Sequence, residues 1–459
     1  MIGKTRGHYS IKATPVTDPL NHLPVTRAHI RATVIVGLGL FFDLFDVFLA
    51  GVLSTVLTAS FGLSERVLPA VLGSSFLGMF IGATLMGGIA DRFGRRPAFL
   101  INLGIYSLFT FVGAFSINAA MLVITRFIAG IGIGAEIPLS DAYLSEVLPA
   151  AHRGRLMAWA YTAGFIGVPA AGLLARVLVP LRPLGVAGWR WLFVAGSLGG
   201  VIVWSLRRLL PESPRWLESA GKTSEAAQIA NEFARTDLTE QGKPAREQGL
   251  PFQVLLDGQY RKTTLMLCVF QIFQAVGYYG LGTIIPLVLA AKGFSVLSSL
   301  TYVTITFLGY PIGAALSIVV VERMERRQLI AGSALLMAVF GFSLGYAERP
   351  PAIMVFGFAY TVISNIFSSG FHILQGEVFP TALRARAAGA TYGLSRLSSA
   401  VMPFVLLPVL RHYGPGVMFA VIGLTMLIVI LDVALFAPRT TGRTLEEIAD
   451  GRKMEKASV

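Results

Sequence analysis

The sequence is poor in cysteine and in charged residues, and both shortages restrict what the protein can be. Cys268 is the single cysteine, so an intrachain disulfide is excluded. Charged residues make up 14% of the 459 residues, whereas soluble domains average about 25%. Because 54% of the residues are apolar, so few charges cannot cover a soluble surface. The composition therefore predicts a membrane protein.

Other patterns are missing as well. The basic stretch 1–31 lacks an apolar core followed by a small-residue cleavage site, so the first apolar run is expected to remain a spanning helix. No glycine-rich loop ends in a Walker-type lysine, which argues against an ATP-driven mechanism. We see no catalytic constellation, and we predict no enzyme activity, no cofactor and no metal. The net charge of +13 lies in short clusters between apolar runs, which argues against a nucleic-acid partner.

Twelve apolar runs are long enough to cross a bilayer, which takes about 20 residues each. The predicted spans are 32–59, 67–90, 98–117, 119–145, 155–180, 189–209, 263–290, 299–321, 328–347, 351–375, 386–410 and 415–437. We expect an all-α membrane fold with an N-terminal tail, a six-helix bundle, a linker, a second six-helix bundle and a C-terminal tail, at 1–31, 32–209, 210–262, 263–437 and 438–459. Within the linker, Ser224 to Asn231 predicts a short amphipathic helix.

The distribution of lysine and arginine predicts the orientation in the membrane. If both termini are cytoplasmic, the inner tails and loops hold 29 of these residues and the outer loops hold 6. Cytoplasmic loops carry an excess of such residues. We therefore expect both termini inside. The compact loops and short ends suggest a bacterial inner membrane.

An internal repeat links the two bundles. Asp91 to Arg96 (DRFGRR) is matched in the second half by Glu322 to Arg327 (ERMERR). The segment EVLP at Glu146 is matched by EVFP at Glu377, and the offset between these two segments equals that between Asp91 and Glu322. Two independent motifs at one offset indicate a duplicated six-helix unit, and such carriers bind their substrate between the halves near the membrane midplane.

These motifs resemble those of the major facilitator superfamily. The stretch GGIADRFGRRP at 87–97 is similar to its signature loop, and RFIAGIGIG at 126–134 is similar to its helix-four motif. PESPRWL at 211–217 and GRTLEEI at 442–448 are typical of its sugar-porter-like branch. The resemblance implies twelve spans in two halves and a secondary active transporter that works by alternating access.

Within that branch the motifs favour an organic acid over a hexose. GAEIP at 134–138 is similar to a segment of nicotinate- and organic-acid-type proton symporters, and Asp43 and Asp46 resemble paired acids of aromatic-acid symporters. Gln274 and Gly277 match helix seven of sugar porters only in part. We expect symport of a small organic acid or related metabolite with protons. A sugar or polyol symporter and a non-transporting nutrient sensor are the alternatives.

Charged residues inside the spans are the candidates for proton coupling, because each costs about 2.5–3.5 kcal/mol at a helix centre and needs a partner or water. By resemblance, Asp46 is the proton site and Arg126 the cation beside it. Asp43, nearly one turn from Asp46, is expected to face the same cavity. Glu136 is a second proton site or an inner gate, and Asp141 is expected to be structural. The alternative is that the pairs only fix helices together.

The loop motifs predict a cytoplasmic gate. Arg95 can pair with an acid from another helix, for which Glu146 and Glu212 are the candidates, and the second half would repeat the scheme. Family resemblance implies that these pairs lock the outward-open state and break when the inner side opens, and the alternative is ordinary positive-inside charge. The predicted gate residues are Asp91, Arg92, Arg95, Arg96, Glu146, Arg155, Glu212, Arg215, Glu322, Arg326, Glu377 and Arg384.

The second half is expected to supply most substrate contacts, because it lacks the buried charges of the first. The candidates are Gln271, Gln274, Tyr278, Tyr279, Asn365 and His372. The predicted partners are a small-molecule solute, protons and the lipid bilayer, and we expect a monomer.

Overall fold

The fold is described by a computed structural model that covers residues 24–234, 260–379 and 381–438. Within these ranges, only the backbone is described at 322, 376 and 381–390. Most of the predicted N-terminal and C-terminal tails and half of the linker therefore lie outside the described residues.

The first half contains eleven α-helices. These are α1 Arg27–Val52, α2 Ser54–Phe61, α3 Leu68–Phe93, α4 Arg95–Ala114, α5 Ala119–Gly134, α6 Glu136–Val147, α7 Arg153–Phe165, α8 Gly167–Leu178, α9 Gly188–Arg207, α10 Pro214–Ser219 and α11 Thr223–Ala234. The second half contains α12 Arg261–Ala291, α13 Val296–Phe307, α14 Gly309–Arg323, α15 Arg326–Tyr346, α16 Pro350–Glu377 and α17 Thr381–Phe436.

In the described residues, eleven helical stretches are long and apolar enough to cross a membrane. The pairs α5–α6, α7–α8 and α13–α14 each form one of these stretches, bent at a single residue. The last stretch has 46 residues, about 69 Å at 1.5 Å per residue and more than twice a bilayer core. Gly414, with φ 80° and ψ 176°, breaks its helical geometry and divides it into two spans. The chain is thus an integral membrane protein with twelve spans.

The predicted spans agree with the observed ones to within a few residues. The fourth and tenth, which carry polar groups, are both present as Ala119–Val147 and Pro350–Gln375. The predicted linker helix at Ser224 to Asn231 is observed as the slightly longer α11. A further short helix, α10, precedes it, with Pro at its first turn and the Ser213 hydroxyl accepting from the N–H of Trp216.

The contacts between the two halves follow the symmetry of the internal repeat. The second span, α3, packs against the eleventh in α17, and the fifth span, α7–α8, packs against the eighth, α13–α14. The first span, α1, packs against the seventh, α12. The repeat relates the second span to the eighth and the fifth span to the eleventh. The contact between the second and eleventh spans is therefore equivalent to the contact between the eighth and fifth spans. This is the symmetry expected of two parallel repeats.

Glycines bring spans together at equivalent places in both halves. A Cβ at Gly78 would meet the backbone of Phe127, so α3 and α5 pack backbone to backbone. At the equivalent position of the repeat, a Cβ at Gly309 would meet the backbone of Phe358 between α14 and α16. Gly82 and Gly313 repeat the pattern one turn later. Small residues four apart thus set this approach in both halves.

Candidate functional site

A cavity of about 920 Å³ lies between the halves. First-half residues on its wall include Leu40, Asp141 and Tyr161, and second-half residues include Tyr279 and His372. It extends to residues at or beside the start of the fifth and ninth spans, among them the exposed His152 and Arg155 and the half-buried Arg326. We call this end of the bundle, which also carries Asp91, the motif end. The cavity therefore opens toward the motif end.

Aromatic side chains from both halves close the opposite side of the cavity. The ring of Phe48 lies 5.4 Å from that of Tyr310 and 5.7 Å from that of Phe307, centroid to centroid. The ring of Phe76 lies 5.2 Å from that of Tyr279, which itself lines the cavity. These contacts join the first half to the second.

Beyond the aromatic cluster, the halves are in direct backbone contact. A Cβ at Gly73 would meet the carbonyl oxygen of Ala400, and the Nε of Arg176 donates to the hydroxyl of Thr301 at 2.8 Å. A hydrogen-bonded, close-packed end opposite an open one is the geometry of one state of an alternating-access carrier.

Enlarging Gly73 should reverse the accessible side. Gly73→Leu forces a side chain into the Ala400 backbone only while this end is closed, so the protein should favour the state open at this end. In a Cys268→Ser background, a cysteine at Ser368 in the cavity would be labelled with a membrane-impermeant maleimide from each side of oriented vesicles. We expect labelling to shift away from the motif end by about tenfold or more, the change that 1.4 kcal/mol produces.

Gly87→Leu is the matched control, because Gly87 lies on the same span and has open space around its Cβ position. It should label like the parent protein. Unchanged labelling of the Gly73→Leu protein would show that this contact does not contribute to closure.

A buried ion pair joins the first span to the fourth. The Nη1 of Arg126 lies 2.6 Å from the Oδ2 of Asp46 and 2.8 Å from its Oδ1, and Nη2 donates to the carbonyl of Asp46 at 3.0 Å. The hydroxyl of Thr110 also donates to the Asp46 carboxylate, at 3.3 Å. Both ionic side chains are no more than 1% exposed. The structure thus brings together the two residues that sequence motifs predicted as a pair.

A second buried ion pair involves Arg207, which sequence analysis did not select as a candidate. Glu136 pairs with Arg207, and both side chains are almost completely buried. Arg207 lies at the end of α9, where it stacks 3.8 Å from the ring centroid of Phe99. A Cβ at Gly39 would meet its guanidinium group, so this glycine leaves the space that Arg207 fills. Asp43 lies within electrostatic range of Glu136, Arg207 and Asp46.

None of the four predicted proton-coupling residues lines the cavity, which corrects one expectation. Asp43 and Asp46 do not face it, because Leu40 and Leu44 form that side of α1. Asp43, Asp46, Arg126 and Glu136 lie behind the wall, inside the first bundle. In this conformation the face of α1 that carries Leu40 and Leu44 separates these acids from the cavity.

Five of the six predicted substrate residues line the cavity. Gln274, Tyr278, Tyr279, Asn365 and His372 are all part of its wall. Gln271 is the exception. It is completely buried, accepts from the Gln274 amide at 3.0 Å and donates to Gln375 at 3.4 Å. Its role as a substrate contact stays a prediction, because in this conformation its side chain bonds to Gln274 and Gln375 and does not line the cavity.

Arg396 is a functional candidate that sequence analysis did not select. It is 1% exposed and lies behind two tyrosines of the wall, 4.8 Å from the ring centroid of Tyr279 and 4.5 Å from that of Tyr392. The Tyr392 hydroxyl contacts its Nη2. Its Nε and Nη1 are buried, and neither has a hydrogen-bond partner among the described residues. The ion pairs of the described residues do not include Arg396.

The predicted gate residues of the first half form contacts within that half. Arg95 pairs with Glu146 at 3.0 Å and with Asp91 at 2.8 Å. Glu212 accepts from the backbone N–H groups of Arg95 and Arg96 at 2.9 and 3.1 Å, rather than from a guanidinium group. The two acids predicted as partners of Arg95 therefore accept from different groups: Glu146 from its guanidinium group, and Glu212 from backbone N–H groups.

The remaining motif-end residues are positioned as follows. Arg92 lies over the ring of Phe93, the Nη2 of Arg96 donates to the carbonyl of Arg208, and Arg215 lies on α10 near Arg153. In the second half, Arg326 lies 3.6 Å from Glu377, while the side chains of Glu322 and Arg384 lie outside the described residues. Since these pairs are formed while the cavity is open at this end, the expectation that they break on inner opening is not met in this conformation.

Removing the carboxylate of Glu212 should destabilise the first half. It accepts from the N–H groups of Arg95, Arg96 and Ser213 and so caps the start of α4. Burial raises the pKa of Glu212, and these three donors offset part of that effect. We expect Glu212→Ala to lower the free energy of unfolding by about 1–2 kcal/mol, as for loss of a helix cap.

The measurement is the thermal unfolding midpoint of purified protein in detergent. Glu225→Ala is the control, because Glu225 forms an exposed pair with Lys222 at 3.5 Å and should change stability by less than about 0.5 kcal/mol. Equal midpoints for the two variants would argue against the capping role.

Twelve spans in two repeated halves, with a central cavity open at one end, define a membrane carrier of the major facilitator fold. Residues 32–451 match the model of the sugar (and other) transporter family, and the chain belongs to that family. It is a transporter and not an enzyme.

Relatives and solved structures agree with this assignment. YyaJ of Bacillus subtilis, named as a putative metabolite transport protein, is 30% identical, covering 93% of this chain and 96% of the relative. The niacin transporter NiaP of Acinetobacter baylyi is 29% identical, covering 94% and 98%. A partially occluded inward open structure of the xylose transporter XylE from E. coli superposes with a TM-score of 0.75 at 25% identity, covering 91% of this chain and all of that one.

Proposed function

We propose that the protein carries a small organic acid across the membrane together with protons. The observation that supports an acidic substrate is Arg396, a buried cation without a carboxylate partner among the described residues, directly behind the cavity wall. A charge in a membrane bundle is costly unless it is compensated. An anion in the cavity would supply that compensation, with Tyr279 and Tyr392 between the anion and Arg396.

The proposal of proton coupling rests on the buried acids of the first half. Asp46 and Arg126 form a pair isolated from water, and Asp43 and Glu136 share Arg207 as their nearby cation. With two carboxylates near one arginine, protonation of one of them lowers the cost of burial. Relatives named as the arabinose-proton symporter of Bacillus subtilis and as a D-xylose-proton symporter support the same coupling ion.

A sugar or polyol remains the second candidate. Gln274, Tyr278 and Asn365 place neutral amide and hydroxyl groups on the cavity wall, and such groups suit the hydroxyls of a sugar. These residues also contact protein groups, because Tyr278 donates to Asn365 at 3.3 Å and Asn365 donates to the carbonyl of Tyr310 at 2.8 Å.

Transport in proteoliposomes with an imposed pH gradient separates these candidates. Benzoate, nicotinate, a pentose and a hexose would be offered as radiolabelled substrates, with and without the gradient. We expect gradient-dependent accumulation of an acid and no accumulation of the sugars. Accumulation of a sugar alone would overturn the organic-acid proposal, and acid uptake that ignores the gradient would overturn the proton coupling.

We also propose that the motif end faces the cytoplasm of a bacterial cell, together with both termini. The excess of lysine and arginine at this end supports the proposal. A cysteine at Lys222, in a Cys268→Ser background, should react with an impermeant maleimide only after the cells are made permeable. Labelling of intact cells would reverse the orientation.

A further inference from the structure

Asp141 is a carboxylate on the cavity wall that the mechanism described so far does not use. It lies on α6 and is the one acidic residue among those that line the cavity in the described part of the chain. The other ionisable wall residues, apart from tyrosines, are His152, Arg155, Arg326 and His372, all of them basic. Sequence analysis had assigned Asp141 a structural role, whereas the structure places it on the wall of the cavity between the halves.

A tyrosine hydroxyl holds this carboxylate in place. The hydroxyl of Tyr161 donates to the Oδ1 of Asp141 at 2.7 Å, and both residues line the cavity. The ion pairs of the described residues do not include Asp141. Within this part of the chain its charge is therefore not neutralised by a protein cation, in contrast to those of Asp46 and Glu136.

The internal repeat places an acid and a histidine at equivalent points of the two walls. His372 stands at the repeat position of Asp141, and Tyr392 stands at that of Tyr161. Tyr161 contacts Asp141, whereas Tyr392 contacts Arg396. The first-half wall thus carries an acid held by a tyrosine, whereas in the second half the repeat-related tyrosine contacts a cation that lies behind the wall.

The two charges are separated by a short chain of aromatic side chains. Tyr161 lies within electrostatic range of Tyr278 and Tyr279, and the Tyr279 ring lies 4.8 Å from the guanidinium carbon of Arg396. A small molecule in this cavity can therefore lie with one end against the tyrosines in front of Arg396 and with the other end at Asp141.

We propose that Asp141 is a specificity-determining residue that accepts a hydrogen bond from a hydroxyl or amino group at the end of the substrate opposite its carboxylate. This inference rests on the proposed organic-acid function. The substrate class is then a hydroxy- or amino-carboxylic acid. An acid without such a donor leaves the Asp141 carboxylate without that contact, and sites built for a donor discriminate against analogues that lack it.

Competition for transport by matched acids tests the assignment. The probes are benzoate, 4-hydroxybenzoate and 4-aminobenzoate, which differ only in the group opposite the carboxylate. We expect the wild-type protein to bind one or both donor-bearing acids at least about tenfold more tightly than benzoate, a ratio that corresponds to 1.4 kcal/mol. Asp141→Asn should reduce that preference to near equality and leave benzoate binding unchanged.

Two further variants keep the test decisive. Tyr161→Phe retains the carboxylate but removes its hydroxyl partner, so it should lower the preference in part. Asp432→Asn replaces an acid of the last span that does not line the cavity, and it should keep the full preference. If Asp141→Asn does not fold, the preference of the wild-type protein and its decrease in Tyr161→Phe decide the question.

The outcomes separate this inference from the function on which it rests. Equal binding of the three acids by the wild-type protein, or an equal loss of all three in Asp141→Asn, would overturn the role of Asp141 while the organic-acid proposal stands. Failure of the wild-type protein to bind any of the acids, with sugars bound instead, would overturn both.

Discussion

Replacing Asp46 with asparagine should abolish proton-driven accumulation of the substrate while exchange of substrate across the membrane continues. The carboxylate of Asp46 is fully buried and held by Arg126, so it can gain a proton only when the bundle around it rearranges. Asparagine keeps the shape and carries no titratable proton. The gradient then has no way to act through this pair, and the substrate should only equilibrate between the two sides.

The measurement is uptake into proteoliposomes with an imposed pH gradient, compared with counterflow in the absence of a gradient. Asp432→Asn is the matched control, since it removes a carboxylate from a span without touching the Asp46–Arg126 pair, and it should behave like the wild-type protein. Accumulation by Asp46→Asn that is still accompanied by proton uptake would show that another group, for which Asp43 and Glu136 are the candidates, carries the proton.

Replacing Arg396 with glutamine should weaken the binding of organic acids by about tenfold, a change of about 1.4 kcal/mol, because an anion in the cavity loses its electrostatic attraction to the cation behind the wall. Glutamine removes the cation behind Tyr279 and Tyr392 and keeps a polar side chain of moderate size. Arg396→Lys retains the charge and should keep more of the affinity than Arg396→Gln.

Thermal stability distinguishes a binding role from a structural one. Arg396 has no carboxylate partner among the described residues, and an unpaired buried charge is costly. Without substrate, Arg396→Gln should therefore unfold at the same temperature as the wild-type protein or a higher one. A marked fall in the unfolding midpoint, with acid binding intact, would assign Arg396 to packing against its tyrosines.

The architecture could be predicted from the sequence because a polypeptide chain can span a bilayer in only a few ways. A span needs a long apolar run, and the repeated motifs at Asp91 and Glu322 fixed the relationship between the halves. The pairing of Asp46 with Arg126 followed from family motifs. In each of these cases one strong local pattern carries the information.

The differences between expectation and structure concern residues whose position depends on the direction of a side chain. Arg207 and Arg208 form a basic pair at the end of a span, which resembles ordinary loop charge. Only the space left by Gly39 shows that Arg207 turns inward. Gln271 and Gln274 lie one turn apart, and a slight rotation of α12 decides that only Gln274 reaches the cavity. The signal that could have identified Asp141 was present, because His372 occupies its repeat position.

The ion pairs at the motif end have a mechanical consequence. Each of these contacts connects elements of one half: Arg95 with Glu146, Arg326 with Glu377, and the Glu212 cap on α4. They therefore make each half more rigid and do not hold the two halves together. The angle between the two halves is then determined by the contacts that join one half to the other. High ionic strength screens exposed ion pairs. It should therefore change the rigidity of each half more than the angle between the two halves.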